Sequence, residues 1–146
     1  MAITNNGPQT SKMVLYDAAN STVTINGKVY FGFKGGSAIF EVTWDNDRAT
    51  IDTDAFGTST VSRVHKNSAT VTVNLNETSP CNKALAELCD ANAVFPVDLI
   101  NEVDHVWGDE CVVTKLGNVA AEEQAGNRAW TIHILNANYE FVGKAE

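Results

Sequence analysis

SATVTVNLNETSPCNKALAELCDA, Ser68–Ala91, holds the clearest strand of this chain and its one convincing helix, separated by a sharp turn. In the first half Ala69, Val71, Val73 and Leu75 alternate with Thr70, Thr72 and Asn74. Successive strand side chains point to opposite sides, so Ala69–Leu75 has one apolar face and one hydroxyl and amide face. Ser79-Pro80 then reads as an N-cap followed by proline at the first helical position, where its missing N–H is not needed. The helix runs from Pro80 to Ala91, with Cys81, Leu85, Leu88 and Cys89 on one side. The picture is a sheet with one polar face and one helix packed on the other.

Strand patterns dominate on either side of this stretch. Residues Met1–Ser11 are polar and read as a flexible arm, and Lys12–Asp17 has the apolar content of a short strand. Thr22–Phe33 (TVTINGKVYFGF) is a hairpin turning at Asn26-Gly27. A plain two-residue loop would pair Val23 with Tyr30. A three-residue loop with a G1 bulge at Gly27 pairs Val23 with Val29 and gathers the aliphatic residues on one face, and it is the preferred reading. Ala38–Trp44 is another strand. The acidic segment Asp45–Gly57 (DNDRATIDTDAFG) reads as a long inter-strand loop, and loops of this size are more often functional than idle. Thr58–Val64 returns to strand. Beyond the helix come Val94–Val103, whose Pro96 suggests an edge or a strand start, and Val106–Leu116, interrupted at Gly108-Asp109. Gly117–Gly126 is a loop with room for one helical turn. Trp130–Leu135 is a final strong strand, which Tyr139–Val142 either continues or pairs with separately. The fold class is mostly β (α+β): an antiparallel β-sandwich or open barrel with one flanking helix, in one domain over residues 1–146.

The totals narrow the function classes. The chain has 146 residues, 44% of them hydrophobic and 19% charged, which is ordinary for a folded domain. No apolar run is long enough to span a bilayer, and the start lacks a signal-peptide pattern, so the expectation is cytoplasmic synthesis without a membrane anchor. The net charge is −8 and the pI near 4.7. Wrapping nucleic acid needs clustered Lys and Arg, so a DNA- or RNA-binding role is disfavoured, although nucleic acid passing an acidic wall is compatible with repulsion.

Chemistry-bearing motifs are missing. The sequence has no phosphate loop, dinucleotide fingerprint or GxSxG elbow. His65, His105 and His133 are scattered, and His133 reads as a structural imidazole in a strand. A calcium loop read from Asp45 meets Thr50 where glycine belongs and Phe56 where the closing glutamate belongs. No enzyme, cofactor or metal is expected. Cys81 and Cys89 lie about 12 Å apart along one helix and cannot bridge each other. The simplest reading is reduced core thiols. The sharper one is an inter-subunit disulfide through Cys81, next to the positive end of the helix dipole, or through Cys111.

The order of these features resembles the tail tube proteins of tailed bacteriophages and phage-tail-like particles. The resemblance spans Val23–Ile134 and is carried by VTINGKVYFGF, the strand–acidic loop–strand run, the NLNETSPCNKALAEL junction, FPVDL and NRAWTIHI. It implies a small β-sandwich or open barrel, hexameric rings of this chain stacked into a tube, and a virion structure assembled in the host cytoplasm. DNA would leave through the bore without specific binding. The resemblance also assigns roles. Thr70, Thr72 and Asn74, joined by polar residues of Thr58–Val64, would line the lumen. The segment carrying Asp45, Asp47, Arg48, Asp52 and Asp54 would reach the next ring or a neighbouring subunit. Tail sheath, tape measure, terminator and baseplate proteins would be partners. The alternatives are another tail, baseplate or head–tail connector component, or a β-barrel binding module.

Overall fold

The computed structural model describes residues 15–143. The arm expected over residues 1–11 lies outside them, as does the first half of the strand expected at Lys12–Asp17. The described part of the latter is not strand, and a 3-10 turn follows at Ala18–Asn20. Asp17 caps that turn by accepting from the Ala19 N–H at 2.9 Å.

Among the described residues ten strands and one helix follow in order. They are β1 (Thr22–Ile25), β2 (Lys28–Val29), β3 (Phe40–Trp44), β4 (Ala49–Thr53), β5 (Ser59–Arg63) and β6 (Ala69–Asn76). After α1 (Cys81–Asp90) come β7 (Phe95–Ile100), β8 (Asp104–Lys115), β9 (Asn127–Ile134) and β10 (Asn138–Phe141). Eight strands form one antiparallel sheet in the order β2-β1-β7-β8-β9-β6-β3, with β10 pairing on β8. The chain leaving β2 at one edge reaches Leu75 of β6 through Phe33, so the sheet curls strongly at that end. It does not close into a barrel, which agrees with the expected open barrel carrying one helix.

The core sits inside the curl. Val71, Val73 and Leu75 of β6, Ile132 and Ile134 of β9, Leu99 of β7, and Val23 and Ile25 of β1 are fully buried. Each is an alternate residue of its strand, so period two in the sequence becomes one apolar layer. Helix α1 lies over it and packs against β8, with Cys81, Asn82 and Leu85 buried. Ser79 serves as the anticipated cap: its Oγ accepts from the Cys81 N–H at 3.3 Å and donates to the Phe31 carbonyl at 2.8 Å. Gly32, at φ +79°, lies so close that a Cβ there would stand 2.6 Å from that hydroxyl oxygen.

Several expectations need correction. The first hairpin has the plain two-residue loop. Thr24 faces Val29 and Ile25 faces Lys28, with Asn26 and Gly27 at φ +53° and +80°. Tyr30 takes the core position beside Val23, while Val29 and Phe31 are exposed. Two left-handed residues match the twist of a tight hairpin, and one buried aromatic ring outweighs gathering the aliphatics. The acidic segment is not a long loop, because β4 lies within it and pairs with β5 as a separate two-stranded sheet. Of the two readings offered for Pro96, the strand start holds, since it is the second residue of β7, and the edge does not, since β7 lies between β1 and β8. Strand β8 continues through Gly108-Asp109, but its pairing with β7 is irregular there: Val97 faces Gly108 and Phe95 faces Cys111, which leaves one extra residue on β8. Gly117–Gly126 contains no helical turn.

Candidate functional site

The outward face of β3, β6 and β9 is a ladder of small polar side chains. Antiparallel register aligns Glu41, Thr72 and Thr131 in one row, and Thr43, Thr70 and His133 in the next. Asn74 extends the face: its amide donates to the Ala38 carbonyl at 2.8 Å and its oxygen accepts from Asn127 Nδ2 at 3.0 Å. Thr70, Thr72 and Asn74, marked by the alternation, thus lie together on one half-exposed surface. Among the described residues, the positions alternating to this face of the three strands include no lysine or arginine. Such a surface has hydrogen-bonding capacity without the cationic centres that hold phosphate. The polar residues of Thr58–Val64 do not join it, because β5 belongs to the separate hairpin sheet.

Asp45 joins this face, in contrast to the other charged residues of its segment. Its Oδ1 accepts from Thr70 Oγ1 at 2.8 Å, and its Oδ2 lies 3.4 Å from His133 Nε2. Its backbone N–H donates to the Ser68 carbonyl, fixing the point where the chain leaves β3. His133 is therefore a structural imidazole at a junction. Further along the outward face His105 Nε2 meets Asp98 Oδ1 at 2.7 Å and stacks on Trp107.

The hairpin β4–β5 projects beyond the sheet. Both of its strands are exposed almost throughout, and Ile51, Phe56 and Val61 are 72%, 96% and 56% exposed. Ile51 and Val61 are direct cross-strand partners, so an apolar pair stands on a surface with nothing over it. Asp54 builds the tip, its Oδ1 accepting from the N–H groups of Phe56 and Thr58 at 2.8 and 3.0 Å. Gly57, at φ +86°, completes the turn. Asp54 is thus a turn-former. Asp52 is exposed on β4, and Asp47 and Arg48 lie at the base, where the Arg48 carbonyl accepts from the Val64 N–H.

The cysteines proposed for cross-linking are enclosed. Cys81 and Cys111 have no exposed surface, and burial pushes the Cys111 thiol up to about 11, with the nearby Asp109 charge adding to it. Neither sulfur faces a position that a second subunit could reach without opening the core; Cys89 is half-buried. Among the described residues no group of three or more His, Cys, Asp or Glu side chains converges as a metal site, and no helix is long and apolar enough to cross a membrane.

One structural polar residue escaped the motif reading. Asn82 is buried under the sheet, accepts from Trp130 Nε1 at 2.9 Å, and donates to the carbonyls of Asn76 and Glu77 at 2.9 and 3.2 Å. Its helical spacing from Leu85 and Cys89 could have revealed it.

Residues 13–115 match the family model described as the bacteriophage PhiTE tail tube protein. No curated protein matches the chain. Among solved structures, the tube-terminating cap of the anti-feeding prophage aligns over 97% of this chain and all of its own, at 12% identity and TM-score 0.63. The sheath/tube terminator of the PVC extracellular contractile injection system aligns over 90% and 99%, at 8% identity and TM-score 0.63. A chain of the PVC sheath–tube complex aligns over 97% and 100%, at 9% identity and TM-score 0.60. These likenesses extend the shared fold across nearly the whole chain. With the family model covering β1 through β8, the chain belongs to the bacteriophage PhiTE tail tube protein family and is a structural component of a phage-type tail.

Proposed function

We propose that this chain assembles into hexameric rings that stack as a tail tube, a conduit through which DNA passes into the host. The observation that carries the reading is the pairing of two surfaces on one subunit. A hydroxyl-rich sheet face without Lys or Arg suits a bore past which phosphate slides, since clustered cations would hold the backbone. A hairpin that packs on nothing in its own subunit suits a contact with another. In this reading Thr70, Thr72 and Asn74 face the lumen, and the hairpin bearing Asp47, Arg48, Asp52 and Asp54 reaches the next ring or a neighbouring subunit. Helix α1 braces the wall from behind, and the chain performs no catalysis. Sheath, tape measure, terminator and baseplate proteins are the partners of such a tube, and assembly takes place in the host cytoplasm.

The likeness to a cap and a terminator favours a second reading, a ring that ends a tube. Negative-stain microscopy of concentrated protein distinguishes them. Tubes of indefinite length support the first reading, isolated rings support the second, and dispersed monomers at every concentration overturn both.

A further inference from the structure

We infer that the groove between β3 and the β8–β10 pair is a cation socket, which takes the guanidinium of an arginine on a basic partner chain. The groove encloses about 300 Å³, with Phe40, Val42 and Trp44 on the β3 side and Asp104, Val106 and Tyr139 on the other; Asn101 also lines it. Ring faces and a carboxylate are what a cation leaving water requires: the rings offer negative charge density and the carboxylate a counter-charge. Trp44 and Tyr139 stand edge to face, with 5.9 Å between centroids and 82° between planes, so their rings form a corner. Both are exposed, which leaves aromatic surface open to a ligand, and Val106 is buried. Asp104 is fixed in place beside them. Its N–H donates to Asn101 Oδ1, its carbonyl accepts from the Asn101 N–H at 2.9 Å, and the Tyr139 hydroxyl donates to its Oδ1 at 2.6 Å.

Among the described residues, no donor reaches Asp104 Oδ2, and no lysine or arginine lines the groove. The nearest cations, Arg48 and Lys66, lie beyond Trp44 and Tyr139 in a second groove, where Asp47 accompanies them. One carboxylate thus sits against aromatic walls without a counter-charge. These features select the occupant. An apolar side chain would suit Phe40 and Val106 but would enclose Oδ2 with no donor, which is costly. A lysine ammonium is a strongly hydrated point charge. A guanidinium is planar and weakly hydrated, and can stack on a ring while it donates to a carboxylate. The volume is small beside ligand pockets and suits one long side chain. The chain itself carries a net charge of −8, so a basic partner is favoured over a second copy. The groove lies apart from the polar face of β3, β6 and β9 and takes no residue from β4 or β5, so the inference is independent of the tube reading.

The experiment titrates Nα-acetyl-arginine amide into the full-length chain and follows the indole N–H resonances by two-dimensional NMR. The Trp44 signal is expected to move and saturate while those of Trp107 and Trp130 stay in place. Nα-acetyl-citrulline amide, the uncharged isostere, and Nα-acetyl-leucine amide should each need about fivefold more for half the shift. Asp104→Asn keeps an acceptor for Tyr139 and should weaken the arginine response about fivefold at an unchanged melting temperature. An equal response to the citrulline or leucine amide overturns the socket, as does an arginine response that Asp104→Asn leaves intact or a Trp44 signal that never moves. Self-association tests the identity of the partner. Sedimentation velocity of Asp104→Asn should match the unmodified chain; a shift to about tenfold higher protein concentration would make a second copy the occupant and overturn the basic partner.

Discussion

At the scale of single residues, Asn82 is the polar pin between helix and sheet. Replacing it by Ala orphans the Trp130 indole N–H and two carbonyls, so Asn82→Ala should lower stability by about 1–3 kcal/mol, read by urea denaturation. Gly108 is equally constrained, because a Cβ there would meet the Ile134 side chain. Gly108→Ala should cost about 1–3 kcal/mol through overpacking. The buried thiol and phenol set the alkaline limit. Cys111 is raised from 9.0 to about 11 and Tyr30 from 10.0 to about 12, in both cases chiefly by burial, so the fold retains protons that the unfolded chain releases. Their contribution is whole below pH 9 and is lost as pH rises through 11 to 12. Melting temperature should fall on that side, and Cys111→Ala should flatten the first part of the decline. Thiol labelling at neutral pH should reach Cys89 first, with Cys81 and Cys111 protected until the core opens.

At the scale of elements, β4–β5 stands apart from the rest. A two-stranded hairpin without a packing partner is marginal by itself, and this one holds five cross-strand pairs, one turn capped by Asp54, and no core. Its amides should exchange rapidly in the monomer and become protected on assembly; equal protection in the two states would show that the hairpin is not a contact element. The base should differ. Asp45 is tied to Thr70 and Ser68 and approaches His133, so its neighbourhood should stay ordered in the monomer. That division between anchored base and free tip was invisible in the sequence, where Asp45 reads as one of four equivalent aspartates.

At the scale of the molecule, the distribution of charge decides what the polar face can do. In the tube reading a single Thr72→Lys introduces a ring of cations into the bore. Assembled Thr72→Lys tubes should retain single- or double-stranded DNA at about 50 mM salt and release it by about 200 mM, whereas the unmodified tubes retain none at either. A shift in DNA retention without a change in melting temperature would mark the face as lumen; no shift would place it elsewhere.

Much of the fold was legible because alternation and helical spacing are local. The Ala69–Leu75 strand, the Ser79 cap, the helix and the outward set of Thr70, Thr72 and Asn74 follow from neighbours along the chain, and the structure keeps all of them. Misreadings arose where a distant contact outweighed a local one. The first hairpin chose its register because Tyr30 had a place in the core beside Val23. That β4 and β5 form a sheet of their own lay beyond sequence reading for the same reason. The contact of Trp44 with Tyr139 joins residues almost a hundred positions apart, and no spacing along the chain encodes which parts of a curled sheet come to face each other.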